Sequence, residues 1–235
     1  MRSSNAPRGF TIVELMLAMS FLSVLLLAIA MLVINVTNIY TRGVTLTTVQ
    51  RVGQAISSEL EQTLNQAQPD GISYVTFGNA GSNGGRLCTG TITYAWNYGR
   101  AITGTGAMFV DVNKYSDGTK NIRFVKTQDN GGSLCKKSGG NYPNLTKNKT
   151  VDLGLSSDRT VALYGFTFYP QALAASAQTI YSVSMIVGTD STDFIAGQNQ
   201  CAPVADASDN FCAVNQFMFT IRASTQDTAS GGNNG

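Results

Sequence analysis

Glu14 is the first carboxylate of the chain and the last charge before twenty uncharged, mainly apolar residues, Leu15 to Ile34. As a helix such a run rises about 30 Å, the thickness of a bilayer's hydrocarbon core. The carboxylate therefore stands where lipid would begin, and drawn inward unpaired it would cost up to about a few kcal/mol. It calls for a cation. Arg8 is the nearest in the intact chain. If the chain is cut after Gly9, the new α-amino group of Phe10, four residues from Glu14, is a second.

Other chemistry is poorly supplied. The chain has no histidine, which excludes Ser-His-Asp and Cys-His catalysis and any histidine-bound metal. Ser133-Leu134-Cys135-Lys136 fits Ser-x-x-Lys and Ser208-Asp209-Asn210 fits Ser-Asp-Asn, a pair used in acyl transfer by β-lactamases. No Lys-Thr-Gly accompanies them and Ser133 stands in a glycine-rich stretch, so the match is coincidental. Gly78 to Gly85 lacks the Lys-Ser or Lys-Thr of a phosphate loop. Asp111, Asn113 and Asp117-Gly118 miss the spacing of a calcium loop. Asp190 and Asp193, with Asp206 and Asp209 beyond, could offer oxygens to calcium, although turn capping is the commoner role. Lys114, Lys120, Arg123, Lys126, Lys136, Lys137, Lys147 and Lys149, interleaved with Tyr115, Phe124 and Tyr142, could contact phosphates and stack bases of DNA; a solvated loop face explains the same residues. No catalytic set and no cofactor is expected.

The stretch Gly9-Phe10-Thr11-Ile12-Val13-Glu14-Leu15-Met16, behind a leader containing Arg2 and Arg8 and ahead of the long apolar run, resembles the type IV prepilin signature shared by pilins and type II secretion pseudopilins. The resemblance covers about the first sixty residues. It implies that a membrane prepilin peptidase cuts between Gly9 and Phe10 and methylates the Phe10 amine. It also implies that Glu14 neutralises the amine of a neighbouring subunit as helices bundle into a filament, and that the partners are other pilin subunits, the pilus assembly machinery and membrane lipid. The expected location is the inner or cytoplasmic membrane, single-pass with the head outside, and then a cell-surface or periplasmic filament. Two plainer accounts fit the same residues. One is a secretory signal peptide cut after Ala30, and the other is a membrane anchor that never polymerises. The apolar run continues past Ala30 to Ile34, which favours a retained span.

The elements that must position these residues follow from patterning. At 235 residues and 43% hydrophobic content the chain has room for one span and one moderate body. Only 13% of residues are charged, and the formal charge of +2 comes from the leader. Residues 100 to 159 hold ten Lys or Arg against five Asp or Glu, while 160 to 235 hold Arg222 against five Asp, a weak dipole that could steer contacts between subunits. After the span, Val49, Val52, Ile56, Leu60, Leu64 and Ala67 recur every three or four residues, predicting an amphipathic helix that Pro69-Asp70-Gly71 stops. Continuous helix from about Thr11 to Gln66 would run roughly 80 Å. Gly43 and the β-branched residues around it weaken the middle, and no proline stands between Arg8 and Pro69, where many members of the resembling family carry one. Tyr40 to Thr48 is therefore the expected flexible segment.

Beyond Asp70 the period changes to two, predicting strands at 72–77, 91–96, 107–112, 121–126, 161–169, 179–187 and 216–222, with Pro170 closing one of them. Asp117-Gly118 predicts a hairpin pairing 108–115 with 120–126. Residues 78–86 and 129–150 are expected as loops, and 223–235 as a disordered tail. Of the three possible pairings among Cys88, Cys135, Cys201 and Cys212, we favour Cys201 with Cys212 and Cys88 with Cys135, because closure between sequence neighbours is easy and leaves only the other pair. A four-thiolate zinc site has no Cys-x-x-Cys spacing in its favour. The fold class expected is α+β: a leader (1–9), a transmembrane helix (10–35), an amphipathic spine (36–68) and a mostly antiparallel β-rich head (70–222) ahead of the tail.

Overall fold

A computed structural model describes residues 10–81, 83–99, 112–119, 122–153, 161–172, 179–191, 193–195, 199–202 and 212–223. The leader with Gly9, the predicted strand over 107–111, Lys120, the Pro203 loop with Asp206 and Asp209, and residues 224–235 of the expected tail lie outside the described residues, while Ala223, expected as the first tail residue, is buried in the core with its amide on the Thr179 carbonyl. The chain is α+β. Helix α1 (Ile12–Gln66) is unbroken, and the chain divides into two compact units, up to Gly43 and from Val44 onward.

Within the second unit, α1 buries Thr45, Val49, Gly53, Ile56, Leu60, Thr63 and Leu64, a three-and-four spacing that draws one face of the helix. Its end is made by the Ala67 N–H donating to the Leu64 carbonyl (3.1 Å), followed by a single 3₁₀ turn, Pro69–Gly71. Two antiparallel sheets share the core with this face. The first has the order β1 (Ser73–Phe77), β2 (Gly84–Cys88), β3 (Ile92–Asn97), β4 (Phe124–Gln128), β5 (Thr150–Asp152). The second places β7 (Thr179–Thr189) between β6 (Val161–Ala172) and β10 (Val214–Arg222). A small ribbon joins β8 (Phe194–Ile195) to β9 (Gln200–Cys201). Val49, Ile56, Leu60 and Leu64 meet Leu87, Tyr94, Trp96 and Phe124 from the first sheet and Phe166, Phe168, Val183 and Met185 from the second. Ala95, Ile122, Val125 and Leu145 form a smaller cluster.

Three expectations need correction. The glycine-rich stretch 78–86 is not all loop, because β2 starts at Gly84 and runs between β1 and β3 in the sheet. A Cβ on Gly84 would lie 2.2 Å from the Trp96 carbonyl oxygen, and one on Gly85 would lie 2.5 Å from that of Val75. These glycines serve close strand approach rather than turns. Pro170 does not end β6, which continues to Ala172 with Pro170 opposite Tyr181. The third concerns the hairpin. Asp117-Gly118 does turn, with the Gly118 N–H on the Tyr115 carbonyl (2.9 Å) and the Tyr115 N–H on that of Thr119 (2.8 Å). Yet β4 takes β3 and β5 as neighbours, and Tyr115 bridges to Leu145 instead. Short-range turn signals cannot reveal that Phe124 finds its partners 28 residues upstream, at Trp96.

The second sheet has a capped edge. At Phe166 on β6 the amide donates to the Tyr98 hydroxyl (3.0 Å), and the carbonyl accepts from Tyr74 (2.9 Å) and Tyr98 (3.3 Å). Side-chain hydroxyls thus take up backbone groups that a further strand would otherwise use. Pro170 lies four residues along β6, in phase with Phe166 and on the same free side, where a missing N–H costs nothing.

Candidate functional site

Glu14 occupies the third position of α1, and Thr11 caps it. The Glu14 carboxylate accepts from the Thr11 N–H (3.0 Å) and the Thr11 hydroxyl (2.9 Å), both through Oε2, while the Thr11 Oγ1 accepts from the Glu14 N–H (3.3 Å). This reciprocal arrangement is a capping box, which satisfies donors that a helix start leaves open. A negative charge there also complements the positive end of the helix dipole. The carboxylate is therefore engaged without a cation among the described residues. The signal for this cap is Thr-x-x-Glu ahead of an apolar run, a pattern that involves no counter-ion.

From Phe10, 84% exposed, to Tyr40 in α1, every side chain is exposed. The helix is long and apolar enough to cross a membrane. Four of its hydroxyls are satisfied inside the helix itself: Ser20 donates to the Leu17 carbonyl, Ser23 to Met19, Thr37 to Val33 and Thr41 to Thr37, at 2.8–2.9 Å. In hydrocarbon, where water is absent, such internal satisfaction is required. Gly43 interrupts nothing, since the helix passes through it and a Cβ there would meet no atom within 4 Å.

In the head several of the residues considered for nucleic acid have partners within the chain. Arg123 is paired with Asp190 (2.7 Å), Lys126 with Glu59 and Lys147 with Asp117 (2.5 Å). Lys136 donates to the Gly131 carbonyl and Lys137 lies 5.3 Å from the centre of the Tyr142 ring. Lys114 is exposed. Phe124 is buried between Tyr94 and Trp96 and cannot stack on a base, and Tyr142 packs edge-on against Phe77. Three charges of the stripe are thus drawn into ion pairs and one of its rings into the core. Of the calcium candidates, Asp190 is paired with Arg123 and Asp193 is buried, while Asp206 and Asp209 lie outside the described residues. No group of three metal-ligating side chains occurs among the described residues.

Both favoured disulfides are present, Cys88–Cys135 and Cys201–Cys212. The first ties down a loop that two buried charges hold from opposite ends. Asp129 accepts from the Thr93 hydroxyl (2.7 Å), the Ser133 hydroxyl (2.6 Å) and the amides of Ser133 and Leu134 (3.1 Å each). Arg86, only 2% exposed, donates to the Leu134 carbonyl (2.6 Å), the Pro143 carbonyl (2.8 Å) and Asn113 Oδ1 (2.6 Å). Asn113 in turn donates to the carbonyls of Gly85 and Trp96. Burial brings the Arg86 guanidinium down to about 10, opposed by the Asp129 charge. Burial alone would raise the Asp129 carboxyl, but the donors from Ser133, Thr93 and Leu134 hold it below its ordinary value. Nothing in the patterning marked Arg86, which sits where a loop was expected. These groups are engaged with their own chain and form a structural clasp across the loop. Against family models, curated proteins and solved structures, the chain shows no significant match.

Proposed function

We propose that the chain is a membrane-anchored structural subunit, a minor pilin or pseudopilin of a type IV pilus or related filament, with its head outside the membrane and no enzymatic role. A prepilin peptidase cuts between Gly9 and Phe10 and methylates Phe10, and Glu14 then meets the Phe10 amine of a neighbour within the helix bundle. The observation that carries this is the helix itself. Its first thirty or so residues expose apolar side chains in all directions, and from Val49 the same uninterrupted helix supplies the core of the disulfide-bonded head. A helix exposed all round requires lipid, neighbouring helices or both.

The capping box favours a second account, a single-span exported protein that does not polymerise, because it gives Glu14 a task needing no neighbour. Glu14→Gln separates the two, since glutamine at this position keeps the cap but loses the charge. In a filament subunit the variant inserts normally and its incorporation falls by about tenfold or more, the order of a lost charge pair in a dry interface. If the glutamine variant assembles as well as wild type, Glu14 has no electrostatic role in assembly. N-terminal sequencing of the mature chain tests processing independently: a start at a methylated Phe10 supports the proposal, and a start at Met31 removes it.

A further inference from the structure

The described edges of the two sheets are not managed alike. β6 is capped at Phe166 by Tyr74 and Tyr98. β5 is three residues long, and the Thr150 amide already donates to the Lys147 carbonyl. The Cys135 turn lies against β1. β10 differs: it is nine residues long, and Arg222 at its last position is its only charge.

Which of its backbone groups are free follows from the two ends of its ladder with β7. The Thr189 amide donates to the Ala213 carbonyl and the Ala223 amide to the Thr179 carbonyl. With the register between them unbroken, the odd-numbered residues of β10 face β7 and the even-numbered ones turn their amides and carbonyls outward. The Gln216 amide is taken by Asn215 Oδ1. No described residue takes those of Met218, Thr220 and Arg222. This edge borders an open groove of about 410 Å³, whose other wall is the polar face of α1 with Gln54, Ser58 and Glu61. Glu61 is the single charge in that lining.

We propose that this groove is a docking site for an extended strand from another protein, one that carries a lysine or arginine to meet Glu61. Outward amides and carbonyls two residues apart provide the main-chain ladder of strand addition, and Met218, 74% exposed, offers an apolar contact beside it. The strand is assigned to a different protein because Glu61 calls for a cation within the added strand, whereas β10, the edge a second copy would offer, carries its one cation, Arg222, only at its last position. The inference stands apart from the filament proposal, since it uses only the head.

The probe is a phage-displayed library of random linear peptides, about twelve residues long, selected on the full-length protein in detergent micelles and followed by titration of synthetic hits. Selected peptides should be rich in β-branched residues and carry a cation. Thr220→Pro should weaken them by about tenfold or more, because it deletes an outward donor and leaves the β7 ladder intact, with unchanged near-ultraviolet circular dichroism as the check on the fold. Glu61→Gln should weaken them a few-fold and flatten the salt dependence. In the wild type, a bound peptide should protect the Met218 and Thr220 amides from exchange, a readout independent of either variant. The proposal is overturned if no peptide is selected, or if hits bind the proline variant equally well. It is also overturned if wild type self-associates through β10 while the proline variant stays monomeric, since a second copy would then occupy the edge.

Discussion

Phe217 of β10 rests directly on Gly53 of α1, so closely that a Cβ at Gly53 would stand 2.1 Å from two carbons of the ring. The helix is notched to receive an aromatic ring. Gly53→Ala should therefore lower stability by about 1–3 kcal/mol through overpacking, although alanine favours an exposed helix by up to about 1 kcal/mol. Phe217→Ala should lower it by about 3 kcal/mol, and the double variant by less than the sum, since the clash goes with the ring. Urea unfolding of the four proteins checks the cycle.

Arg86→Leu removes three donors at once and strands the carbonyls of Leu134 and Pro143 and the side chain of Asn113. A loss of about 3–5 kcal/mol is expected, as for breaking other buried charged networks. Arg86→Lys should recover only part of it, because an ammonium cannot reproduce the planar fork. The same unfolding assay serves, and an unchanged midpoint for Arg86→Leu would show that the clasp contributes nothing.

Acid should weaken the head. The hydrogen bond from Lys126, opposed by burial, lowers the Glu59 carboxyl, and Asp129 is lowered by its donors against burial. A carboxyl lower in the folded than in the unfolded chain contributes stability above the unfolded value, near pH 4, and that contribution is lost as pH falls through the folded value. Unfolding midpoints should drop below about pH 5. Asp129→Asn should flatten the drop while lowering the plateau at neutral pH.

Gly43→Ala adds a side chain into open space and removes the weakest helix former of the segment. Amide exchange over Val44 to Thr48 should slow by about fivefold, equivalent to about 1 kcal/mol of local helix stability. No change would mean that Tyr40 to Thr48 is not the weak stretch of α1.

Much of the architecture was legible because it rests on local pattern. The apolar run, the three-and-four spacing from Val49 to Leu64 and the alternation in β7 each point to one element. What stayed hidden depends on distant parts of the chain. Gly84 and Gly85 look like turn residues until Trp96 and Val75 are placed against them, and Pro170 looks like a terminator until its side of β6 proves unpaired. The basic stripe between Lys114 and Lys149 hid its ion pairs for the same reason, because Glu59, Asp117 and Asp190, which claim three of its charges, lie as far as 67 residues away in sequence. Glu14 is the opposite case. Its partner is three residues away and is a hydroxyl rather than an ion.

The Cys88–Cys135 bond also determines how the head answers to pulling. Its 47-residue separation corresponds to about 160 Å of extended chain, covering β3, β4 and the Asp129 loop, that cannot be drawn out under tension while the bond is closed. In single-molecule stretching the oxidised head should fall short of its full contour length by about that amount, and a reductant should restore it. Whatever load reaches the head, β3 and β4 lie behind a covalent stop.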